Sequence, residues 1–144
     1  AAYQECTRIW KDIVFRGVKE APDPLERIRR VIRNSMQDYL GGGVFEGGCF
    51  LFNSLVEFSR QSSAMNQHIL QGFRGFSRLL HSWLEEARQM AMLKEGLPLE
   101  EIANFIVISL NGAGPLYTSS GDPAVWQQTI SQLHQYLDHL KKPT

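Results

Sequence analysis

A cysteine behind a glycine-rich loop is the residue of this sequence whose type and position most directly suggest chemistry. Cys49 follows Gly47-Gly48 and opens an apolar run that ends near Phe58. A thiol at a helix N-terminus can have a lowered pKa and react with oxidants or electrophiles. Cys49 is therefore a candidate thiol sensor, and the alternative is a small residue that packs at the helix start.

Other kinds of chemistry have little support in the sequence. The loop Gly41-Gly42-Gly43 does not complete a dinucleotide fingerprint, and no Gly-x-Ser-x-Gly or phosphate-binding motif occurs. His68, His81, His134 and His139 do not have the spacing of metal ligands. We expect no catalysis, no cofactor and no metal. A Cys49–His81 pair stays open as an enzyme alternative, because such partners meet only in space.

Composition predicts one soluble domain over residues 1–144. The chain is 43% hydrophobic, which is enough for one core, and its 15 basic residues balance its 15 acidic ones. The net charge therefore does not favour nucleic acid or an anionic membrane. Two cysteines, Cys6 and Cys49, indicate reduced thiols and a cytoplasmic protein. The apolar stretch from Ile102 to Leu110 is far shorter than the roughly 20 residues of a membrane span.

Apolar residues recur at helical spacing in six segments, which predicts an all-α fold. The first helix has no capping residue at its start and is expected to run to about Gly17, as the end of a longer helix. Asp23 is expected to cap the second helix, which ends at Gly41. The third helix begins beside Cys49. It is followed by a fourth helix capped by Ser62 or Ser63.

The remaining helix boundaries follow from glycine and proline. The fourth helix is expected to extend to about Glu95, with Gly96 as its stop. Leu97-Pro98 opens the fifth helix, and Asp122-Pro123 opens the sixth.

The last two helices predict a homodimer. The fifth helix is apolar on more than one side, and Gly112-Ala113-Gly114 would let another backbone approach closely. Two helices from each subunit could then form a four-helix interface about a two-fold axis, unless both serve only their own core. The candidate interface residues are Ile106, Ala113, Leu116, Trp126, Ile130, Leu133 and Leu137.

Several local patterns together resemble a known family. They are the uncapped first helix, the segment Gly48-Cys49-Phe50-Leu51-Phe52-Asn53, Leu97–Ala103 followed by Leu110–Gly114, and the Asp122-Pro123 helix start. In this order they resemble the TetR-type bacterial transcription regulators, in which an N-terminal helix-turn-helix domain precedes a helical effector-binding and dimerisation domain. The resemblance implies that residues 1–17 are the truncated connecting helix, and that DNA is contacted only through a domain missing from this chain.

The resemblance also implies a mechanism and a site. A small hydrophobic or aromatic effector would enter the helical domain of a repressor, and its binding would shift the first helix. Where the apolar faces meet, the candidate ligand contacts are Trp10, Ile13, Met36, Tyr39, Phe50, Asn53, Phe73, Phe76, Leu80, Trp83, Phe105 and Asn111. The alternatives are a redox or electrophile sensor that uses Cys49, and a helical protein–protein adaptor. The adaptor predicts a filled interior and an exposed apolar groove.

Overall fold

The computed structural model describes residues 2–45, 47, 49–57 and 64–144, and they form an all-α fold. The helices, in chain order, are α1 (Ala2–Val14), α2 (Pro24–Arg33), α3 (Phe50–Glu57), α4 (Ala64–Gln89), α5 (Leu99–Ser120) and α6 (Ala124–Leu140). The predicted fold class is confirmed. Among the described residues, the only strand-like pairing is an isolated antiparallel bridge between Leu93 and Lys141.

The first two helices start and stop for identifiable reasons. Helix α1 ends at Val14, three residues before the predicted Gly17, which lies in the following turn with φ of +74°. Asp23 caps α2 as predicted, since its Oδ1 accepts the Glu26 N–H at 2.9 Å. Glycine is favoured at position 17 because this left-handed backbone conformation is costly for residues with a Cβ.

Helix α2 continues without a break into a π-helical segment, Asn34–Leu40. The sequence predicts the end of this stretch correctly, because Gly41 closes it, but predicts ordinary α-helix throughout. The Gly41 N–H donates to the carbonyl of Met36, five residues back, at 2.7 Å. Such wider turns occur often at functional sites. They could not be predicted here because an apolar stripe has nearly the same appearance in both helix types.

The glycine loop after this segment needs glycine at two positions for different reasons. A Cβ on Gly42 would lie 2.1 Å from the carbonyl oxygen of Asp38, and Gly43 has φ of +65°. The loop can therefore reverse the chain directly behind the π-helical segment, as the sequence predicts.

Helix α4 ends at Gln89, and the prediction that it extends to Glu95 is wrong. Ala91 takes a left-handed φ of +58°, the Met92 N–H donates to Ala87, and the Ala91 N–H donates to Arg88, both at 3.0 Å. This is a Schellman closure with alanine in the position that usually holds glycine. The predicted caps Ser62 and Ser63 lie outside the described residues.

Pairing with the C-terminal end of α6 explains why the chain leaves α4 early. The Lys94 N–H donates to Leu140 at 2.9 Å, and the Lys142 N–H donates to Met92 at 3.0 Å. Leu93, between these two bonds, is buried. These contacts join segments almost fifty residues apart. They end the helix before Gly96, the stop that the local sequence predicts.

Helices α5 and α6 begin close to the predicted positions. Pro98 immediately precedes α5, and the Asp122 Oδ1 accepts the Ala124 N–H at 2.9 Å at the start of α6.

Helix α4 packs against α2, α3 and α5, and α6 packs against α5 and α2. The fully buried side chains that hold these helices together include Ile28, Ile32, Leu80, Leu84, Ile106 and Leu137.

Candidate functional site

A cavity of about 230 Å³ lies between α1, the π-helical segment, α3, α4 and α5. Its wall is mainly apolar and aromatic. The aromatic residues that line it are Tyr3, Trp10, Tyr39, Phe52, Phe73 and Phe76. This is the character of a small-molecule site, in which a few polar groups orient a mostly apolar ligand.

Three aromatic rings fix the wall at the α1 side of the cavity. Trp10 packs edge-on against Phe76, with ring centroids 5.1 Å apart, and against Phe15 at 5.6 Å. Phe15 and Phe76 are themselves edge to face at 6.2 Å. Edge-to-face pairs have preferred geometries, so this part of the wall is preorganised and joins α1 to α4.

Seven of the twelve predicted ligand contacts line the cavity: Trp10, Met36, Tyr39, Asn53, Phe73, Phe76 and Asn111. Their binding role stays a prediction, as does that of Phe50, whose side chain lies outside the described part of the chain. The structure places Ile13, Leu80, Trp83 and Phe105 away from the lining. Leu80 is fully buried farther along α4, and Phe105 lies on the outer face of α5, because the apolar stripes continue beyond the cavity.

Cys49 lies at the cavity wall, immediately before α3. Its Sγ accepts the Tyr39 hydroxyl at 3.4 Å and the Phe52 N–H at 3.5 Å. Burial, with a smaller contribution from Cys49, raises the pKa of Tyr39, so this phenol is neutral at physiological pH. Cys6 is buried, and burial raises the pKa of its thiol. The two cysteines therefore differ in access: Cys49 is half-buried at the cavity wall, and Cys6 is buried away from it.

The amides at the wall are bonded to the main chain. The Asn53 Nδ2 donates to the carbonyl of Gly47 at 2.7 Å, and Asn53 is exposed. The Asn111 Nδ2 donates to Val107 at 2.8 Å. Pro115, also in the wall, has no N–H, so the carbonyl of Asn111 lacks its usual helical donor on this side of α5.

Two neighbouring residues of the π-helical segment were missed by the sequence analysis. The buried Asn34 Nδ2 donates to the carbonyls of Val14 and Arg16, each at 2.9 Å, and so holds the C-terminal end of α1. Ser35 is buried and lines the cavity. The signal that could have found them is a polar pair, Asn34-Ser35, inside an otherwise apolar stripe.

A family model described as tetracyclin repressor-like, C-terminal domain, matches residues 24–133, which is most of the chain. The chain belongs to this family. The resemblance to TetR-type regulators predicted from the sequence is thereby confirmed.

A solved structure shows the same fold as this tetracyclin repressor-like domain. It is a TetR transcriptional regulator from Chloroflexus aurantiacus J-10-fl, and it aligns over 97% of this chain and 69% of its own chain with a TM-score of 0.81. The two sequences are only 12% identical, so the likeness concerns the fold. The comparison with curated proteins gave no match.

A second depression of the domain is an open groove along α5 and α6, with a volume of about 680 Å³. Three large apolar side chains are exposed on α5 near it: Phe105 at 50%, Ile108 at 66% and Leu116 at 65%. Gly112 lies among them, and a Cβ there would meet no atom within 4 Å. Because these positions recur every three or four residues, they share one face of the helix.

Most of the predicted interface residues are already covered by their own chain. Ile106, Ala113, Leu133 and Leu137 are buried in the core, and Trp126 and Ile130 are partly buried against it. Leu116 is the predicted interface residue that is largely exposed. The role of all seven in a dimer stays a prediction.

The described residues contain no group of three His, Cys, Asp or Glu side chains that could hold a metal ion. The His81 Nε2 lies 3.5 Å from Glu85, and His81 is not part of the cavity lining where Cys49 lies. No helix in the described part of the chain has the length and apolar character needed to cross a membrane.

Proposed function

We propose that this domain is the effector-sensing part of a TetR-type transcriptional repressor, and that its cavity binds a small hydrophobic or aromatic molecule. The observation that carries the proposal is the cavity of about 230 Å³, which is lined by five elements, four of which contribute aromatic side chains. The family model describes C-terminal domains, which supports our proposal that a helix-turn-helix domain preceding this one contacts DNA in the intact protein. The adaptor alternative is less favoured, because it predicts a filled interior.

Helix α1 is the element through which binding is transmitted. It contributes Tyr3, Thr7, Trp10 and Lys11 to the cavity, so a ligand touches this helix directly. Asn34 ties the end of α1 to the π-helical segment, which also lines the cavity. A ligand changes DNA affinity only as far as it prefers one position of α1, and such couplings are about 1–3 kcal/mol.

The α5 and α6 face is the proposed dimer interface. The exposed apolar stripe Phe105, Ile108 and Leu116 is unusual for a surface that stays in water. A two-fold axis at Gly112 would bring two copies of the stripe together with close backbone approach. Two DNA-reading heads would then be held at a spacing that depends on α1.

Ligand binding can be tested with two glycines of α4. Gly72 lines the cavity and a Cβ there meets no atom within 4 Å, whereas Gly75 is not part of the lining. We expect neutral bicyclic aromatic compounds to raise the Tm of the chain. Gly72→Leu should weaken their binding at least about tenfold by occupying the cavity, and Gly75→Leu should leave binding unchanged. Isothermal titration calorimetry measures the affinities of the two variants.

Both substitutions replace a helical glycine with a good helix former, so neither is expected to unfold the chain. Binding lost equally in the two variants would place the ligand elsewhere. An unchanged Tm across such compounds would contradict an effector site of this chemistry.

The thiol sensor is the second candidate function, because the Cys49 Sγ is at the cavity wall and accepts an N–H at the start of α3. Cys49 is half-buried at the cavity wall, so a reagent that enters the cavity can reach its thiol, whereas Cys6 is buried. We expect iodoacetamide to modify Cys49 at least about tenfold faster than the buried Cys6, as followed by mass spectrometry. Cys49→Ser should abolish the fast phase and Cys6→Ser should preserve it. Equal slow modification of both thiols would exclude a sensor.

A further inference from the structure

The hydroxyl of Ser35 is a buried side-chain group at the cavity wall whose hydrogen bonding is incomplete. Ser35 is 6% exposed and lines the cavity, and its Oγ has no hydrogen-bond partner among the described residues. A buried hydroxyl without a partner is costly and rare in folded proteins. Such a group at a cavity wall indicates that its partner comes from outside the chain.

The π-helical position distinguishes Ser35 from three other helical hydroxyls among the described residues. In ordinary helix, a serine or threonine hydroxyl can donate to the carbonyl four residues back. Thr7, Ser109 and Thr129 all do this, at 2.8 to 2.9 Å. Ser35 lies at the second position of the π-helical segment and makes no such bond within the described structure.

The charges around the cavity favour an uncharged ligand. No carboxylate belongs to the described lining, so a cation would have no partner of opposite charge there. Among the described residues of the lining, the basic one is Lys11, which is exposed. The raised pKa of Tyr39 keeps this phenol neutral as well.

The volume limits the size of the ligand. An apolar cavity of about 150 Å³ accommodates benzene. The cavity of about 230 Å³ is larger, and is suited to a substituted or fused pair of rings.

We infer that the effector is a neutral, compact aromatic molecule with one hydroxyl or carbonyl oxygen, and that this oxygen pairs with the Ser35 hydroxyl. The inference rests on the proposed effector site. Because the Ser35 Oγ is almost inaccessible in the ligand-free chain, the pairing involves rotation about its single side-chain torsion. The hydroxyl therefore selects among aromatic ligands of similar shape.

The test compares 2-naphthol, naphthalene and 2-naphthoate on the wild-type chain, Ser35→Ala and Ser82→Ala. We expect wild type to bind 2-naphthol about tenfold more tightly than naphthalene, and 2-naphthoate the least. Ser35→Ala should weaken 2-naphthol about tenfold and leave naphthalene unchanged. Ser82 is exposed on α4 and donates to Leu79, so Ser82→Ala should change none of these affinities.

A measurement without ligand separates recognition from a structural role. Removing an unpartnered buried hydroxyl should raise the Tm of Ser35→Ala by about 3 °C. A lower Tm, or equal weakening of 2-naphthol and naphthalene, would mean that the hydroxyl supports the fold and would overturn the inference.

The remaining outcomes distinguish this inference from the proposed function. Equal affinities of 2-naphthol and naphthalene for wild type would refute the role of Ser35 and leave the aromatic effector site standing. Tighter binding of 2-naphthoate would refute the neutral ligand. If none of the three compounds binds, the proposed aromatic effector site itself fails.

Discussion

Glutamate in place of Leu116 is expected to convert a dimer of this chain into monomers. Leu116 is 65% exposed in the single chain and belongs to the apolar face that includes Phe105 and Ile108. Burial of one leucine side chain stabilises by about 1.5–3 kcal/mol, and a two-fold interface buries it twice. The substitution also places two carboxylates in an apolar contact, which adds an unpaired-charge penalty. We therefore expect the dissociation constant to rise at least about 1,000-fold.

Sedimentation velocity at micromolar concentration measures this change. Val56→Glu is the matched control, because Val56 is similarly exposed, at 59%, but lies on α3 rather than on α5. The control should sediment as the wild type does. A Leu116→Glu chain that remains dimeric would show that this face is not the interface, and a wild-type monomer would contradict the proposed dimer.

Alanine in place of Asn34 is expected to destabilise the domain by about 3 kcal/mol. The Asn34 amide donates a buried bond to the carbonyl of Val14 and a partly buried one to that of Arg16, and alanine would leave both acceptors without this donor. Since small domains are stable by only about 5–15 kcal/mol, the loss should lower Tm by roughly 10 °C. Urea denaturation measures the free energy of unfolding directly.

The control for this prediction is another asparagine with a side-chain hydrogen bond. Asn104 accepts from the Ser77 hydroxyl but is exposed, so water can replace that bond. Asn104→Ala should change the free energy of unfolding by less than about 0.5 kcal/mol. A cost below about 1 kcal/mol for Asn34→Ala would show that the amide does not anchor α1, and the proposed transmission through this helix would lose its structural link.

The helices that could be predicted from sequence are those with strong local signals. Asp23 before Pro24 and Asp122 before Pro123 mark helix starts by capping and by the fixed φ of proline, and both starts agree with the structure. The end of α4 could not be predicted in this way. Its position depends on hydrogen bonds from Lys94 and Lys142 to distant partners.

The sequence predicts the aromatic character of the cavity better than it predicts which residues line it. Aromatic stripes on α1 and α4 suggested Trp10, Phe73 and Phe76, and all three line one cavity. The same stripes also suggested Leu80 and Trp83, because periodicity shows which face of a helix is apolar and not which part of that face meets a void. Seven of the twelve candidates therefore line the cavity.

The sequence alone determined the all-α architecture, the position of most helix starts, the glycine loop before Cys49 and the family, because each depends on residues close together in the chain. Only the tertiary structure revealed the π-helical segment, the anchoring of α1 by Asn34 and the unpartnered hydroxyl of Ser35. The anchoring of α1 depends on which groups from distant segments meet, and the Ser35 hydroxyl depends on the hydrogen bonds available inside the folded domain. Whether a buried polar group finds a hydrogen-bond partner depends on the packing of the folded chain, and the local periodicity of apolar residues does not encode it.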